Sequence, residues 1–449
     1  MPLERDTSAY AVIAREMLNG RSLYSDLWDH KPPGIHVAYA FGILLFGYSG
    51  AFIGGLWILL SIAITVGLYA IVRAIAVNSN YALLAAALGA LYSSDLFLES
   101  NAVNTELFIA AFLLVPFAEL VWPEQKKLSF IPGISLGIAT IFKQVAIVPY
   151  VLGAAALLLS VRAESRKVVL RRTLLALILS CVPWFLFAVW TLATHRTEAT
   201  YDALMTYNQF YAGSLFSNLL SLFSPTHFMP RCCYVLCPAL LLAVWGASRR
   251  PALAGILLGT FVAIAAPGKF YNHYYELLFV PVAIGAALAL DGLAVHSKRA
   301  SKLLAALIAL VALGYETYFF HFTPQTFSFV RHGPVYLASE ELGLALRDAP
   351  SFYQLGNESG LYFYSKHSPP VGTFYFFAID EGPLAQKLFT KVMQQLSTNT
   401  PPLVVATKAS LDSLPPANPL RVFLLQHYHL APQTGVPDYF ALYVRNSGA

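Results

Sequence analysis

The stretch GAFIGGLWILLSIAITVGLYAIV, residues 50–72, contains no charged side chain and is long enough to cross the hydrocarbon core of a bilayer as one helix. The rest of the 449-residue chain has the same character, because 57% of its residues are hydrophobic and only 12% are charged. A soluble domain usually carries about 25% charged residues. The composition therefore predicts an integral membrane protein. The formal net charge of +5 is spread along the chain, which argues against a nucleic-acid partner.

Further apolar stretches predict a polytopic α-helical membrane protein with about ten transmembrane helices. Two of the stretches, 128–142 and 252–266, are short for a span. The predicted spans are 50–72, 81–97, 105–122, 128–142, 145–161, 172–194, 232–247, 252–266, 274–294 and 302–320.

The basic residues indicate how these spans are oriented. With successive loops assigned to alternate sides, thirteen Lys and Arg residues fall on one side and only four on the other, up to residue 273. The positive-inside rule places the richer side in the cytoplasm, so residues 1–49 and everything after residue 320 are predicted to be extracytoplasmic, most simply at a bacterial cell membrane. The thirteen are Arg73, Lys126, Lys127, Arg162, Arg166, Lys167, Arg171, Arg172, Arg249, Arg250, Lys298, Arg299 and Lys302, and the four are Lys143, Arg196, Arg231 and Lys269.

Two segments do not follow the pattern of spans. Residues 1–49 form a first outer loop, in which 35–46 is too short to span and is predicted to be an amphipathic helix on the membrane surface. Residues 321–449 contain 13 of the 27 prolines, and we expect a small soluble α/β domain there, outside the multi-span domain of residues 50–320. Within it, 335–348 and 384–396 have helical spacing, whereas 403–407, 421–426 and 439–444 have the composition of strands.

The four cysteines do not indicate a disulfide framework or a zinc site. Cys181, Cys232, Cys233 and Cys237 all lie in apolar runs, and we interpret them as small core residues. No spacing of acidic or imidazole side chains predicts a metal site either, although a divalent metal would be compatible with the clustered acids. We therefore predict no metal ligand and no certain cofactor.

Ionisable residues outside the cytoplasmic loops collect near the outer ends of the predicted spans. Charge next to hydrocarbon is costly and usually has a use. A mixture of carboxylates and amines suits a reaction that needs a base and an anion-binding site. The residues are Glu4, Arg5, Asp6, Asp29, His30, Lys31, Asp95, Glu99, Glu106, Lys143, Lys269 and His273.

Each of these positions also has an ordinary structural interpretation. Asp6 could cap the N-terminus of a helix, and Glu106 could pair with the dipole of the span that it opens. Lys31 could be an interfacial lysine in a Pro-Gly turn, and Lys143 could extend its amine out of the bilayer. The segment 269–276 could be an aromatic belt. Five such coincidences on one side of the membrane are harder to accept than one shared site.

Several short motifs stand in the first outer loop and in later loops. They are Glu4-Arg5-Asp6, Tyr10-Ala11, Ala14-Arg15-Glu16-Met17-Leu18, Gly20, Tyr24, Asp26, Trp28, Asp29-His30-Lys31-Pro32-Pro33, Asn104-Thr105-Glu106, Phe142-Lys143-Gln144 and His273-Tyr274-Tyr275. In these motifs the chain resembles the GT-C glycosyltransferases, and more narrowly glycosyltransferase family 39, which contains protein O-mannosyltransferases and bacterial aminoarabinose transferases. The similarity extends over about residues 4–290. Relatives commonly have a second acid after the first-loop Asp, where this chain has Thr7, and a membrane span before that loop, where five residues precede Asp6 here.

The resemblance implies an enzyme that transfers a sugar from a polyprenyl-phosphate carrier to an acceptor glycan, lipid or protein on the outer side of the membrane. It implies that Asp6 activates the acceptor or organises the site, and that Lys31 contacts the carrier phosphate. Glu106 matches the acid that opens a later span, and it is an alternative base. Lys143 and His273 match less closely and are candidates for contact with phosphate or sugar.

The reaction would invert the anomeric centre if displacement is direct. Three further residues and one more lysine complete the predicted site. Lys269 could assist at the phosphate, and Glu4, Tyr10 and Tyr274 are further substrate-binding candidates. Two other functions stay open at this point. A transporter or flippase for a lipid-linked substrate would also need such a site, and a non-catalytic assembly subunit could use the outer lobe to bind a partner.

Overall fold

The computed structural model describes residues 1–122 and 129–447. Lys126, Lys127 and the first residue of the predicted span 128–142 lie outside the described residues. The described helices are α1 Arg5–Leu18, α2 Gly34–Phe46, α3 Gly50–Ile75, α4 Asn80–Tyr92, α5 Thr105–Val121, α6 Ile131–Phe142, α7 Ile147–Ser160, α8 Ala163–Ala193, α9 Thr197–Tyr201, α10 Asn208–Ala212, α11 Leu215–Leu222, α12 Pro225–Phe228, α13 Ala239–Ala247, α14 Pro251–Ala265, α15 Phe279–His296, α16 Lys298–Phe319, α17 Pro324–His332, α18 Val335–Ala345, α19 Gly360–Ser365, α20 Phe376–Asp380, α21 Ala385–Thr398, α22 Lys408–Ser413 and α23 Pro419–His427.

Tighter and wider helical turns interrupt this series. Ser100–Ala102, Gln144–Ala146 and Asn272–Leu278 are 3-10 segments. Asp202–Tyr207 and Met229–Val235 are π-helical. The strands are β1 Phe352–Leu355, β2 Leu403–Thr407, β3 Tyr428–Leu430 and β4 Phe440–Arg445.

Four helical stretches of the described chain are long and apolar enough to span a membrane, namely α3, α8, α16 and the continuous stretch Asn272–His296 that ends in α15. A fifth candidate, Pro225–Val235 with Ala239–Ala247, is bent by 95°. The predicted span 232–247 is therefore not one straight helix, and whether it crosses the membrane as a broken span stays a prediction. Pro238 lies in this break, where it has no N–H for a helical hydrogen bond and its ring hinders the preceding turn.

The other predicted spans coincide with shorter helices. α4, α5, α6, α7 and α14 contain between 12 and 17 residues each, less than the roughly 20 that cross a bilayer upright. The number of ten transmembrane helices accordingly stays a prediction.

Small residues allow the helices of the bundle to approach closely. At Gly255 in α14, a Cβ would lie 2.2 Å from the carbonyl oxygen of Leu152 in α7, and at Gly259 it would lie 2.6 Å from the Cα of Pro149. Contact of backbone with backbone is the usual way in which helices associate in lipid. This packing fixes the start of α7, and with it the adjoining turn that contains Lys143.

One residue that we assigned to a cytoplasmic loop is part of the bundle instead. Arg172 is buried in α8, and its Nε lies 3.1 Å from a carboxylate oxygen of Glu119 in α5. α8 begins at Ala163, nine residues earlier than the predicted span, because the helix continues through its basic first turns.

The first loop lies between the bundle and the C-terminal part of the chain. The Thr7 hydroxyl donates to the carbonyl oxygen of Ala102, 2.8 Å away. On the other side, the backbone N–H of Trp28 donates to the carbonyl oxygen of Gly372, 3.0 Å away. As a result, nine of the 14 residues of α1 are buried, and the polar Thr7, Ser8 and Glu16 are among them.

Helix α2 confirms the predicted helix at 35–46 but not its amphipathic character. Its inner face buries Ile35, His36 and Tyr39. Its outer face is also apolar, so it suits contact with lipid chains better than contact with water. The exposed residues are Val37, Phe41, Leu44, Leu45 and Phe46.

The C-terminal lobe, residues 335–447, contains a four-stranded sheet in the order β1-β2-β4-β3, in which β1 and β2 are parallel and the other pairs antiparallel. The predicted helices 335–348 and 384–396 are confirmed as α18 and α21, and the strands 403–407 and 439–444 as β2 and β4. The strand at 421–426 is wrong, because this segment is α23. Asn418 caps that helix by accepting from the Leu420 N–H, and Pro419 occupies its first turn.

All four cysteines are free. Cys232 is buried, as predicted, whereas Cys181 is exposed on α8. The prediction of a core position is therefore wrong for Cys181, because α8 presents most of its apolar surface outward rather than to other helices.

Candidate active site

The turn after α1 holds Lys31 through its backbone. The Lys31 N–H donates to Asp29 Oδ1, 3.1 Å away, and the Lys31 carbonyl accepts from the Tyr24 hydroxyl at 2.8 Å. Asp29 Oδ2 also lies 3.3 Å from Nε2 of the buried His36. Pro32 and Pro33 follow directly and restrict the chain further. The backbone of Lys31 is thus held independently of its amine. The amine lies 3.3 Å from Nε2 of His30 and, with three N–H donors, can still bind a ligand.

A polar cavity of about 270 Å³ opens between the first loop, the segment 202–212, the loop after α14 and the C-terminal lobe. It contains both acids and bases. Its lining residues are Arg5, Asp6, Tyr10, Asp29, His30, Lys31, Tyr207, Phe210, Tyr211, Lys269, Tyr271, Asn357, Tyr375, Phe377 and Glu381.

A second, largely apolar cavity of about 150 Å³ adjoins the first. His30, Lys31 and Tyr211 belong to the walls of both cavities. Lys31 therefore stands where a polar space meets an apolar one. The second cavity is lined by His30, Lys31, Pro32, Lys143, Gln144, Val145, Asn208, Tyr211, Ala212, Ala266, Pro267 and Tyr274.

Asp6 is ionised in this setting. Burial disfavours its carboxylate, but Lys31 and then Arg5 outweigh this effect and hold the pKa of Asp6 below its usual value. Arg5 Nε lies 3.6 Å from Asp6 Oδ1, and the Tyr10 hydroxyl points toward Asp6 Oδ2 at 3.5 Å. The structure does not use Asp6 as a helix cap, because Glu4 occupies the N-cap position of α1.

The neighbouring His30 is neutral near pH 7. Burial, and after it the charge of Lys31, lower the pKa of the His30 imidazole to about 3. Burial also opposes ionisation of Asp29, but the neighbouring His36 stabilises the carboxylate and lowers the pKa of Asp29. The first-loop turn thus carries one anion, Asp29, and one cation, Lys31, on either side of a neutral imidazole.

Glu106 lines neither cavity. Its Oε1 accepts from the Lys143 amine at 2.7 Å, and its Oε2 accepts from the Thr105 hydroxyl at 2.8 Å. The same amine lies 3.4 Å from the ring centre of Tyr274, a cation–π contact. Glu106 is fully buried, so it acts on the second cavity through Lys143.

We expect the effects of replacing Glu106 and Lys143 on the free energy of unfolding to depend strongly on each other. Glu106→Gln alone leaves the Lys143 amine without its buried counter-ion and should destabilise the protein by about 3 kcal/mol or more. Lys143→Met alone should cost a similar amount, whereas the double variant should recover much of the loss. Thermal unfolding in detergent of the unmodified protein, the two single variants and the double variant measures this dependence. A double variant that loses the sum of the two single losses would contradict the prediction.

Glu4 and His273 were predicted to belong to the site, but they lie away from the two cavities. Glu4 Oε1 is 3.5 Å from Nε2 of His332, and His273 Nδ1 is 3.1 Å from Glu99 Oε2. Neither residue lines the two cavities. Of the predicted site residues, Asp6, Tyr10, Lys31 and Lys269 border the polar cavity, and Lys143 and Tyr274 join Lys31 at the apolar one.

Two groups of lining residues were missed by sequence reasoning. Tyr207 and Tyr211 are four residues apart, which puts them on one helical face and was a usable signal. Asn357, Tyr375 and Glu381 come from the C-terminal lobe. No motif in the sequence links these positions to the first loop, so only the docking of the lobe on that loop reveals them.

Glu358, next to the cavity residue Asn357, should make stability depend on pH. Burial raises the pKa of its carboxyl from 4.5 to about 7, against the smaller opposing effects of Arg5 and of the Tyr439 hydroxyl. Between about pH 4.5 and 7 the folded protein therefore retains a proton that the unfolded chain has lost, and stability falls as pH rises.

Glu358→Gln should reduce this slope and stabilise the protein at pH 8 by up to about 3 kcal/mol. Thermal unfolding at pH 5 and pH 8 tests it, with Glu341→Gln on an exposed position as the control. An unchanged slope in Glu358→Gln would show that the carboxyl is ionised throughout.

Two solved structures share this architecture over almost the whole chain, which has the GT-C fold. With its apolar helices, this makes the chain a multi-pass membrane protein.

The first of these structures is ArnT from Cupriavidus metallidurans bound to undecaprenyl phosphate. It is similar with a TM-score of 0.62 and 16% sequence identity, covering 100% of this chain and 94% of that one. The apo state of the same protein gives a TM-score of 0.63 at 16% identity, covering 97% and 92%. No protein-family model matches the chain, and no curated protein matches its sequence. The narrower similarity to glycosyltransferase family 39 therefore stays a prediction.

Proposed function

We propose that this protein is a glycosyltransferase that moves a sugar from a polyprenyl-phosphate donor to an acceptor on the extracytoplasmic side of a bacterial cell membrane. The observation that carries the proposal is the position of Lys31 in the shared wall of the two cavities. A lipid phosphosugar consists of an apolar chain, an anionic phosphate and a polar sugar, in that order. The apolar cavity, Lys31 and the polar cavity offer matching surroundings in the same order.

The solved ArnT structure supports the choice of donor, because that protein has the same fold and was crystallised with undecaprenyl phosphate. Three amines border the cavities in this chain. Lys31 would bind the phosphate directly. Lys269 lines the polar cavity and Lys143 lines the apolar one, so each shares a cavity with Lys31. Lys269 lies over the ring of Tyr211, 4.7 Å from its centre, which holds its charge at the polar cavity.

The transfer itself requires one base. The acceptor hydroxyl oxygen attacks the anomeric carbon and forms the new C–O bond, while the bond from that carbon to the phosphate oxygen breaks with its electron pair. Polyprenyl phosphate leaves with its added negative charge stabilised by Lys31. Asp6 accepts the acceptor proton as the attack proceeds, and a direct displacement inverts the anomeric centre.

Donor binding would adjust Asp6 for this task. In the free protein Lys31 lowers the pKa of Asp6, which makes it a weak base. A phosphate bound to Lys31 neutralises that amine and adds negative charge nearby, so the pKa of Asp6 rises when the donor is present. The carboxylate becomes a better proton acceptor only when there is a sugar to transfer.

The test uses the full chain in proteoliposomes with undecaprenyl-phosphate sugars labelled in the sugar. Cell-envelope lipids, glycans and proteins serve as acceptors. Label that moves to an acceptor, with release of undecaprenyl phosphate, supports the enzyme. Movement of intact donor across the bilayer would indicate a flippase instead, and neither transfer nor movement would indicate a non-catalytic subunit.

A further inference from the structure

Three side chains from distant parts of the sequence meet away from the two cavities. Glu4, at the start of α1, Glu99, before the turn Ser100–Ala102, and His332, at the end of α17, place their ligand atoms within 4.8 Å of one another. Glu4 Oε1 and His332 Nε2 are 3.5 Å apart. We call these three residues the tether cluster, because they connect the first loop, the bundle and the segment before the C-terminal lobe.

The tether cluster contains a buried ring nitrogen that could still bind a ligand. Nε2 of His332 is buried and has no hydrogen-bond partner within the part of the chain that the structure describes. The side chains of Glu4, Glu99 and His332 are only 12%, 13% and 15% exposed. Two partly buried carboxylates this close together repel each other, and a cation bound between them would remove that repulsion.

Glu99 is held in a conformation that aims it at this place. Its φ is 68°, in the left-handed region that residues other than glycine seldom adopt. Asn272 Nδ2 donates to its Oε1, and His273 Nδ1 lies 3.1 Å from its Oε2. Each carboxylate oxygen has a second lone pair, so these contacts orient Glu99 and still leave it able to bind a cation.

The tether cluster is open to solvent on one side. A cavity of about 430 Å³ includes Glu99 and His332 in its lining and would admit an ion and a water ligand. Arg331 also lies there, with Nη2 3.7 Å from Glu99 Oε1. The charge of Arg331 offsets part of the negative charge of the two carboxylates. A cation held by charge alone is therefore attracted less strongly, and a metal ion that forms coordination bonds is favoured.

We propose that Glu4, Glu99 and His332 bind a divalent transition metal of the zinc class, with water as a fourth ligand. One imidazole nitrogen and two carboxylate oxygens suit zinc, whereas Ca²⁺ and Mg²⁺ prefer oxygen alone. The ion ties the first loop to the bundle and to α17. Because it lies outside the two cavities, this site is independent of the proposed sugar transfer.

The test measures zinc on the full chain in detergent after removal of metal with a chelator. We expect one zinc per chain by elemental analysis after equilibrium dialysis, and a rise in the melting temperature when zinc is added. Glu4→Gln and His332→Gln should each lower zinc affinity at least tenfold and abolish the rise. His321→Gln, an exposed histidine that contacts only the Thr317 carbonyl among the groups described, is the matched control.

Each result decides the question. No stoichiometric zinc, tighter binding of Ca²⁺ than of zinc, or full zinc affinity in His332→Gln would overturn the proposal. His332→Gln decides alone if Glu4→Gln does not fold, since His332 is the last residue of α17 and its replacement interrupts no helix. Sugar transfer is not used as the measurement, so a failure here leaves the proposed function untouched, and the reverse also holds.

Discussion

Lys31→Met should reduce kcat/KM for a polyprenyl-phosphate sugar on the order of 10³-fold, or about 4 kcal/mol in transition-state stabilisation. The charge that develops on the departing phosphate would lose its nearest amine, and donor affinity should fall as well. The turn should survive the change, because Tyr24 and Asp29 contact the backbone of Lys31 rather than its amine. Transfer rates and undecaprenyl phosphate binding of purified protein measure both effects.

Two comparisons make the Lys31 result specific. Lys31→Arg keeps the charge and should retain more activity than Lys31→Met, although its planar group fits the amine position poorly. Lys408→Met removes an exposed lysine of the C-terminal lobe and should behave as the unmodified protein. Activity of Lys31→Met within tenfold of that control would remove Lys31 from the phosphate site.

Asp6→Asn should lower kcat by 10²- to 10⁴-fold, the usual contribution of a positioned base. Its effect on binding should have the opposite sign from that of Lys31→Met. The Asp6 carboxylate competes with the donor phosphate for Lys31 and repels it, so the neutral amide should leave the affinity for undecaprenyl phosphate equal or higher. Single-turnover rates and separate binding measurements distinguish loss of the base from loss of the donor.

The matched control for Asp6 lies in the same loop. Asp26 is exposed, and its Oδ2 accepts from the Ser22 N–H, a contact that an amide oxygen can also make. Asp26→Asn should therefore leave transfer unchanged. Near-normal turnover of Asp6→Asn with intact folding would exclude Asp6 as the base.

The strongest predictions from the sequence concerned Asp6 and Lys31. They come from two short motifs in one loop, and the structure puts both on the wall of one cavity. Glu106 shows the limit of the same reasoning. Its place in the first turn of α5 was predicted, but its partner Lys143 lies 37 residues further on, and no local pattern indicates that the two meet.

Glu4 shows a second limit, which is geometric. It is two residues from Asp6, yet it joins Glu99 and His332 instead of the cavity. Glu4 is the N-cap residue of α1 and has extended backbone, whereas Asp6 lies in the first turn of the helix, so the two side chains leave the chain in different directions. Glu4 and Asp6 are therefore close in sequence but belong to different sites.

The sequence by itself determined that the chain is a membrane protein and that Asp6 and Lys31 lie in its first loop, because hydropathy and short motifs are local properties. Only the tertiary structure decided that Lys31 separates an apolar cavity from a polar one, and that Asn357, Tyr375 and Glu381 complete the polar cavity. Those residues follow Lys31 by more than 300 positions. Such neighbours are set by the docking of the C-terminal lobe on the first loop, an outcome of packing over the whole molecule that no stretch of sequence encodes alone.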